Sequence, residues 1–398
     1  MSNYTLDPRG LQNVTDVINR FIDAKKIAGA SMYIARGGAV QYNECFGYMD
    51  VANEKPVSPD TIYRMASMTK PVTMTAIMQL YEKGLFRLYD PVSEFIPEFA
   101  DIPVAVANAD GSVSYEKQAQ PMTIKNLLTM TSGMPYGERR PGRATPASLK
   151  MADLTESGQL EGLETLDYVK HVAKNVPLAF QPGTQWLYGF SHDVVGALIE
   201  VLTGQRFGDY VKENILDPLG MEDSGFYIAP EKADRLCKFY TLDGELTEVQ
   251  HGRGDACVRP AFESGGGGLF STIHDYARFA QMLCDGGVFG NERILGRKTV
   301  ELMTSDHLND LQKQTVFRNW KRLIGSYSYG LGMRVMVDPA YCGYNGTKGE
   351  FGWDGATGTW FCVDPKEKLV AIFLQQSSPS GHEWYEPLLI PAIYSSLV

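Results

Sequence analysis

Apolar residues recur at helical spacing from Val14 to Ile27 (Val17, Ile18, Phe21, Ile22), and two strand-like runs follow, Ala30 to Arg36 and Ala39 to Gly47. Arg36-Gly37-Gly38 between them predicts a hairpin turn. From about Ser67 to Leu219 the pattern is mostly helical. Val72, Ala76, Ile77, Leu80 and Tyr81 form a stripe that ends at Gly84, a suitable C-cap. Further helices are predicted over Ile124 to Thr129, Leu166 to Val172 and Asp193 to Leu202, joined by connections containing proline and glycine. Gly265-Gly266-Gly267-Gly268 marks tight backbone geometry before another helix through Tyr276, Phe279, Met282 and Leu283. The last third returns to strands, at Tyr329 to Val337, Gly358 to Val363 and Leu369 to Gln375, with a turn at Asp364-Pro365-Lys366-Glu367. Strands at both ends with helices between predict one sheet assembled from both termini. On this reading residues 1–66 and 265–398 form an α/β subdomain and residues 67–264 a mainly helical one, within a single domain.

Composition narrows the class. Hydrophobic residues make up 44% and charged residues 21% of 398, which is globular and argues against disorder. The net charge of −10 disfavours nucleic acid or an anionic membrane surface as a partner. Met1 to Arg9 show no basic segment leading into an apolar run, so a cytoplasmic location is expected. The 6 cysteines (Cys45, Cys237, Cys257, Cys284, Cys342, Cys362) form no CxxC pair, and no HExxH, GxSxG, GxGxxG or P-loop pattern is present. No metal or cofactor is expected, and the glycine run is read as close backbone packing.

The candidate chemistry begins at Ser67-Met68-Thr69-Lys70. Residues three apart share a helix face, so the Lys70 amine can lie against the Ser67 hydroxyl and take its proton. A second SxxK, Ser114-Tyr115-Glu116-Lys117, sits in a polar stretch with turn residues and reads as a solvated loop or short hairpin. Ser67 instead precedes the apolar stripe, near free backbone N–H groups at a helix start. Taken alone, a serine N-cap followed by a solvated lysine explains the motif equally well. Two segments can complete a site. Gln181-Pro182-Gly183-Thr184-Gln185-Trp186-Leu187-Tyr188 delivers a tyrosine just before a helix, and Phe351-Gly352-Trp353-Asp354-Gly355-Ala356 is a Gly-rich start to a strand. Each alone also reads as ordinary packing. Glu138-Arg139-Arg140-Pro141-Gly142-Arg143 reads as a solvated loop, with attraction of an anionic substrate as the alternative.

Taken together and in this order, these segments resemble the serine β-lactamase and penicillin-binding-protein superfamily. The likeness is greatest to the class C-like branch that includes family VIII carboxylesterases and statin side-chain acyltransferases. It extends over roughly residues 15–395, and includes Leu127-Leu128-Thr129-Met130-Thr131-Ser132-Gly133, Pro182-Gly183-Thr184, and Gly265 to Thr272 followed by Asp275-Tyr276-Ala277-Arg278-Phe279. The resemblance implies an antiparallel sheet with flanking helices and an inserted helical part. It implies Ser67 as acylated nucleophile, Lys70 as its activating partner and Tyr188 as a proton-exchanging hydroxyl. The backbone N–H groups of Ser67 and Ala356 are implied as the oxyanion hole.

Two motifs depart from the class C pattern. Tyr188-Gly189-Phe190 stands where Tyr-x-Asn is usual, and Trp353-Asp354-Gly355 where Lys-Thr-Gly or His-x-Gly is usual. The handles for a substrate amide and carboxylate are therefore missing, and Phe190 and Trp353, with Asp354 and Gly355, are expected to wall an apolar acyl or alcohol pocket. The expected activity is hydrolysis of a small-molecule carboxylic ester. Acyl transfer from the same intermediate, β-lactam or D-amino peptide cleavage, and a noncatalytic binding protein remain the alternatives.

Overall fold

The computed structural model describes residues 4–243, 245–249, 254–318, 320 and 323–398. Met1 to Asn3, where the segment searched for an export signal begins, lie outside them. An eight-stranded antiparallel sheet runs in the order Tyr327–Tyr329, Arg334–Met336, Phe351–Asp354, Trp360–Asp364, Leu369–Leu374, Gly29–Arg36, Ala39–Asp50, Lys55–Pro56. The first and last parts of the chain meet where Tyr33 pairs with Ile372. The N-terminal hairpin turns at Gly37 and Gly38, both at positive φ (61° and 78°) as a tight primed turn requires.

Alternation along the strands decides what covers each face. Phe361, paired with Ile372, meets Tyr276 of the helix Ile273–Cys284 at 5.2 Å. Phe373, paired with Trp360, points the other way and meets Tyr385 of the C-terminal helix His382–Tyr394 at 4.9 Å. That helix packs on the N-terminal helix Pro8–Asp23 through Trp384 and Phe21, with ring centroids 4.8 Å apart. Between the two parts of the sheet, the chain forms helices including Thr69–Glu82, Thr165–Asn175 and Ser191–Thr203.

Several elements differ from their sequence readings. The first helix begins at Pro8, because Asp7 accepts the Arg9 N–H as an N-cap and proline is preset for the first turn. It ends at Asp23, and Lys25 beyond it has φ 53°. The expected strand Tyr329 to Val337 is two short strands, since Gly332 turns at φ 79° and the Gly330 N–H donates to the Met333 carbonyl. The helix after Ser67 carries no single apolar stripe. Thr69 to Met78 are buried on all sides, so that helix is a central strut.

Candidate active site

Ser67 lies in a 3₁₀ turn, Ala66–Met68, that leads into the helix Thr69–Glu82, one step before the α-helix expected to hold it. Ala66 has φ 47°, a conformation that costs an L-residue about 1–2 kcal/mol. The surroundings hold the turn there. Thr359 Oγ1 donates to the Met65 carbonyl at 3.1 Å, Thr357 Oγ1 to Arg64 at 2.9 Å, and Tyr276 to Met68 at 2.8 Å. Thr69 Oγ1 donates to the Ala66 carbonyl at 2.7 Å and accepts the Leu269 N–H at 3.0 Å. The turn between the strands Phe351–Asp354 and Trp360–Asp364 is thus tied directly to the backbone beside Ser67.

Lys70 and Tyr188 both reach Ser67 Oγ. The amine is 3.2 Å away and the phenol oxygen 2.6 Å away. Lys70 is fully buried, donates to the Gly266 carbonyl at 2.6 Å, and lies 4.6 Å from the Tyr188 ring centroid. The Tyr188 ring is fixed by Trp320 at 5.1 Å, Trp353 at 5.6 Å and Tyr136 at 5.8 Å. Ser114 of the other SxxK stands exposed on a hairpin strand, Val113–Glu116.

The glycine run is close packing, as its composition suggested. A Cβ on Gly265 would fall 2.4 Å from the His192 carbonyl, and one on Gly266 would fall 2.4 Å from the Tyr136 hydroxyl. Beneath it lies the buried Asp193, whose carboxylate accepts from Ser264 Oγ (2.5 Å), the Gly266 N–H (3.1 Å) and Tyr136 (3.3 Å). Burial holds the Asp193 carboxyl above its ordinary range, opposed by the Ser264 hydrogen bond and the Lys70 charge. Burial, then the Asp193 charge, pushes the Tyr136 phenol well up, so it remains a donor. Burial, then Lys70, holds the adjacent His192 imidazole well below its ordinary value.

A cavity of about 190 Å³ opens at Ser67, lined by Tyr188, Trp320, Leu323, Trp353 and the Asp354-Gly355-Ala356 backbone turn, with Ser380 and His382. The Ser67 and Ala356 N–H groups donate to no protein acceptor in the hydrogen bonds of the described residues. Phe190 does not share this cavity with Trp353. It lines a second hollow of about 470 Å³ with Tyr136, Tyr168, Phe262 and Arg139, because the Tyr188 and Tyr136 rings stand between. Arg139 pairs with Asp153 and Glu156, and Arg140 with Glu138, so both charges are already engaged within the protein.

The sequence reading missed His382 and Ser380, which reach the cavity from the C-terminal helix and its lead-in, and Tyr136, Asp193 and Gly266 around Lys70. Only Asp193 carried a local signal, as an acid in the first turn of the helix that follows Tyr188. Asp354, His382 and Glu386 place possible ligand atoms within 4.8 Å of one another, a spacing that suits a metal ion. The chain's own groups already occupy these positions. Tyr385 and Glu386 lie 2.6 and 2.9 Å from His382 Nδ1, the Gly355 carbonyl lies 2.9 Å from Nε2, and the Arg334 guanidinium is 3.6 Å from Asp354.

Comparison with known proteins identifies the family. A profile of the family described as Beta-lactamase matches residues 14–388. Protein Rv1367c of Mycobacterium tuberculosis is 35% identical over 375 residues, 91% of this chain and 89% of that one. Esterase EstB of Burkholderia gladioli is 28% identical, over 95% of this chain and 93% of the esterase. The solved structure of EstCE1, described as a hydrolase with promiscuous acyltransferase activity, superposes with a TM-score of 0.78 at 25% identity, covering 97% of this chain and 98% of that one. The relatives include one named as an esterase and one described as a hydrolase with acyltransferase activity, and the chain belongs to the beta-lactamase family.

Proposed function

We propose that the protein is a serine carboxylesterase that works through an acyl-enzyme on Ser67. The observation that carries this reading is the convergence of Lys70 Nζ and the Tyr188 hydroxyl on one serine oxygen, at 3.2 and 2.6 Å, beside an open cavity. In the first stage Ser67 Oγ bonds to the ester carbonyl carbon while its proton passes to the Lys70/Tyr188 pair, which requires a neutral amine. The Ser67 and Ala356 amides face the resulting oxyanion. The carbon–oxygen bond to the alcohol then breaks, and the pair returns the proton to the departing oxygen. Water attacks the acyl-enzyme in the second stage, gives its proton to the same pair, and the proton returns to Ser67 as the carboxylic acid leaves.

Neutral esters are favoured over β-lactams and D-amino peptides by what faces the cavity. Trp353, which stands where the usual cation does, provides apolar wall with Trp320 and Leu323, the acid Asp354 lines the cavity beside it, and Arg334 does not line the cavity. Steady-state kinetics on p-nitrophenyl esters and a cephalosporin test this. The best ester should exceed the cephalosporin in kcat/KM by about a thousandfold or more, the loss expected when buried polar recognition is missing. Equal turnover of the two sinks the esterase reading. Acyl transfer is the second reading, favoured by the description of EstCE1. A competing alcohol then diverts product from acid to new ester.

A further inference from the structure

Lys70 must exchange a proton with Ser67, so what fixes its amine bears on the rate. One buried carboxylate organises two of its neighbours. Gly266 accepts from Lys70 on its carbonyl at 2.6 Å and donates its N–H to Asp193 Oδ1 at 3.1 Å, with Ser264 Oγ donating to the same oxygen at 2.5 Å. Asp193 Oδ2 accepts from Tyr136 at 3.3 Å, and the Tyr136 ring lies 5.5 Å from Lys70 Nζ and meets Tyr188 edge-on at 5.8 Å. Gly266 fits between these groups only because it lacks a side chain, since a Cβ would fall 2.4 Å from the Tyr136 hydroxyl and 2.5 Å from Asp193 Oδ2.

We infer that Asp193 is a positioning residue for catalysis. Through the Gly266 backbone and the Tyr136 ring it holds Lys70 in reach of Ser67, and its charge balances the ammonium formed when Lys70 takes the serine proton. The inference rests on the proposed roles of Ser67 and Lys70. Among the described residues, the titratable groups that face Lys70 are Tyr136 and Tyr188 through their rings, the buried His192, and the carboxylate Asp193. Its two oxygens collect three donors within the protein, more than helix capping requires.

Asp193→Asn keeps the side-chain shape and an acceptor oxygen while removing the charge. A neighbouring carboxylate favours the protonated form of an amine. In Asp193→Asn the acid limb of the kcat/KM profile on a p-nitrophenyl ester should therefore move to lower pH. Asp193→Ala also frees Gly266, and kcat should fall about 10- to 100-fold, the cost of a misplaced catalytic group, with KM nearly unchanged. An acid limb that stays in place in Asp193→Asn overturns the inference, since a merely structural role changes the folded fraction and leaves the limb where it is. If Asp193→Asn does not fold, Ser264→Ala and Tyr136→Phe each remove one donor to the carboxylate. Both should then lower kcat severalfold at constant KM, and wild-type kcat in both overturns the inference. Wild-type protein that never acylates at Ser67 defeats the esterase reading instead, so the two failures are separable.

Discussion

Phe190 and Trp353, which stand where the class C pattern has Asn and a cation, line two different cavities. Trp353 narrows the space at Ser67, while Phe190 belongs to the neighbouring hollow beyond Tyr136. That Lys70 would lie beside Ser67 was legible because helical turns set the i to i+3 spacing, and Tyr188 was singled out because a proline-glycine turn precedes it; the structure brings the three together. Gly266, Asp193 and His382 were not legible, because their relation to Ser67 exists only after distant segments fold together. For the hydroxyl at 2.6 Å from Ser67, Tyr188→Phe should lower kcat by about 100- to 10,000-fold with little change in KM, the range for a lost acid–base group. Steady-state kinetics on one ester checks this, and activity within a few-fold of wild type removes Tyr188 from the relay.

The short turn that carries Ser67 depends on other elements, and its strained Ala66 persists because hydrogen bonds from three directions hold it. The sequence placed a helix after Ser67 and a strand from Gly358, just after Ala356, but it held no sign of the bond from Thr359 to Met65 that joins the two segments. Backbone accounting of that kind needs tertiary structure. Thr359 is fully buried, so Thr359→Val keeps the shape and leaves the Met65 carbonyl without that donor. Denaturant unfolding should show a loss of about 1–2 kcal/mol. Because the two amides proposed for the oxyanion hole, of Ser67 and Ala356, lie on the two sides of that bond, kcat should fall more than KM changes. A stability loss with unchanged kcat would show that the link is structural alone.

For the whole molecule, the period of the apolar pattern revealed a sheet built from both ends of the chain, and the structure pairs Tyr33 with Ile372 as that requires. What the pattern could not show was the strand order or the break at Gly330–Met333, both set by turns and by partners far away in sequence. Buried ionisable groups then set how the fold responds to pH. His192 is fully buried, neither ring nitrogen has a hydrogen-bond partner among the described residues, and burial holds it neutral. The unfolded chain takes up its proton below about pH 6.5 while the folded chain does not, so stability falls with decreasing pH by up to about 1.4 kcal/mol per unit. Burial raises the carboxyls of Asp193 and Glu350, whose contribution runs the other way, present at low pH and lost as pH rises through their raised values. His192→Leu should therefore shrink the difference in unfolding free energy between about pH 7.5 and pH 5.5. An unchanged difference would contradict the assignment to His192. The esterase account as a whole stands or falls on Ser67 becoming acylated. Intact-mass spectrometry of wild type and Ser67→Ala across p-nitrophenyl esters, an amide and a cephalosporin measures that step. The account predicts an acyl adduct from esters on the wild type and none on Ser67→Ala; an adduct that persists in Ser67→Ala, or no ester adduct on either protein, contradicts it.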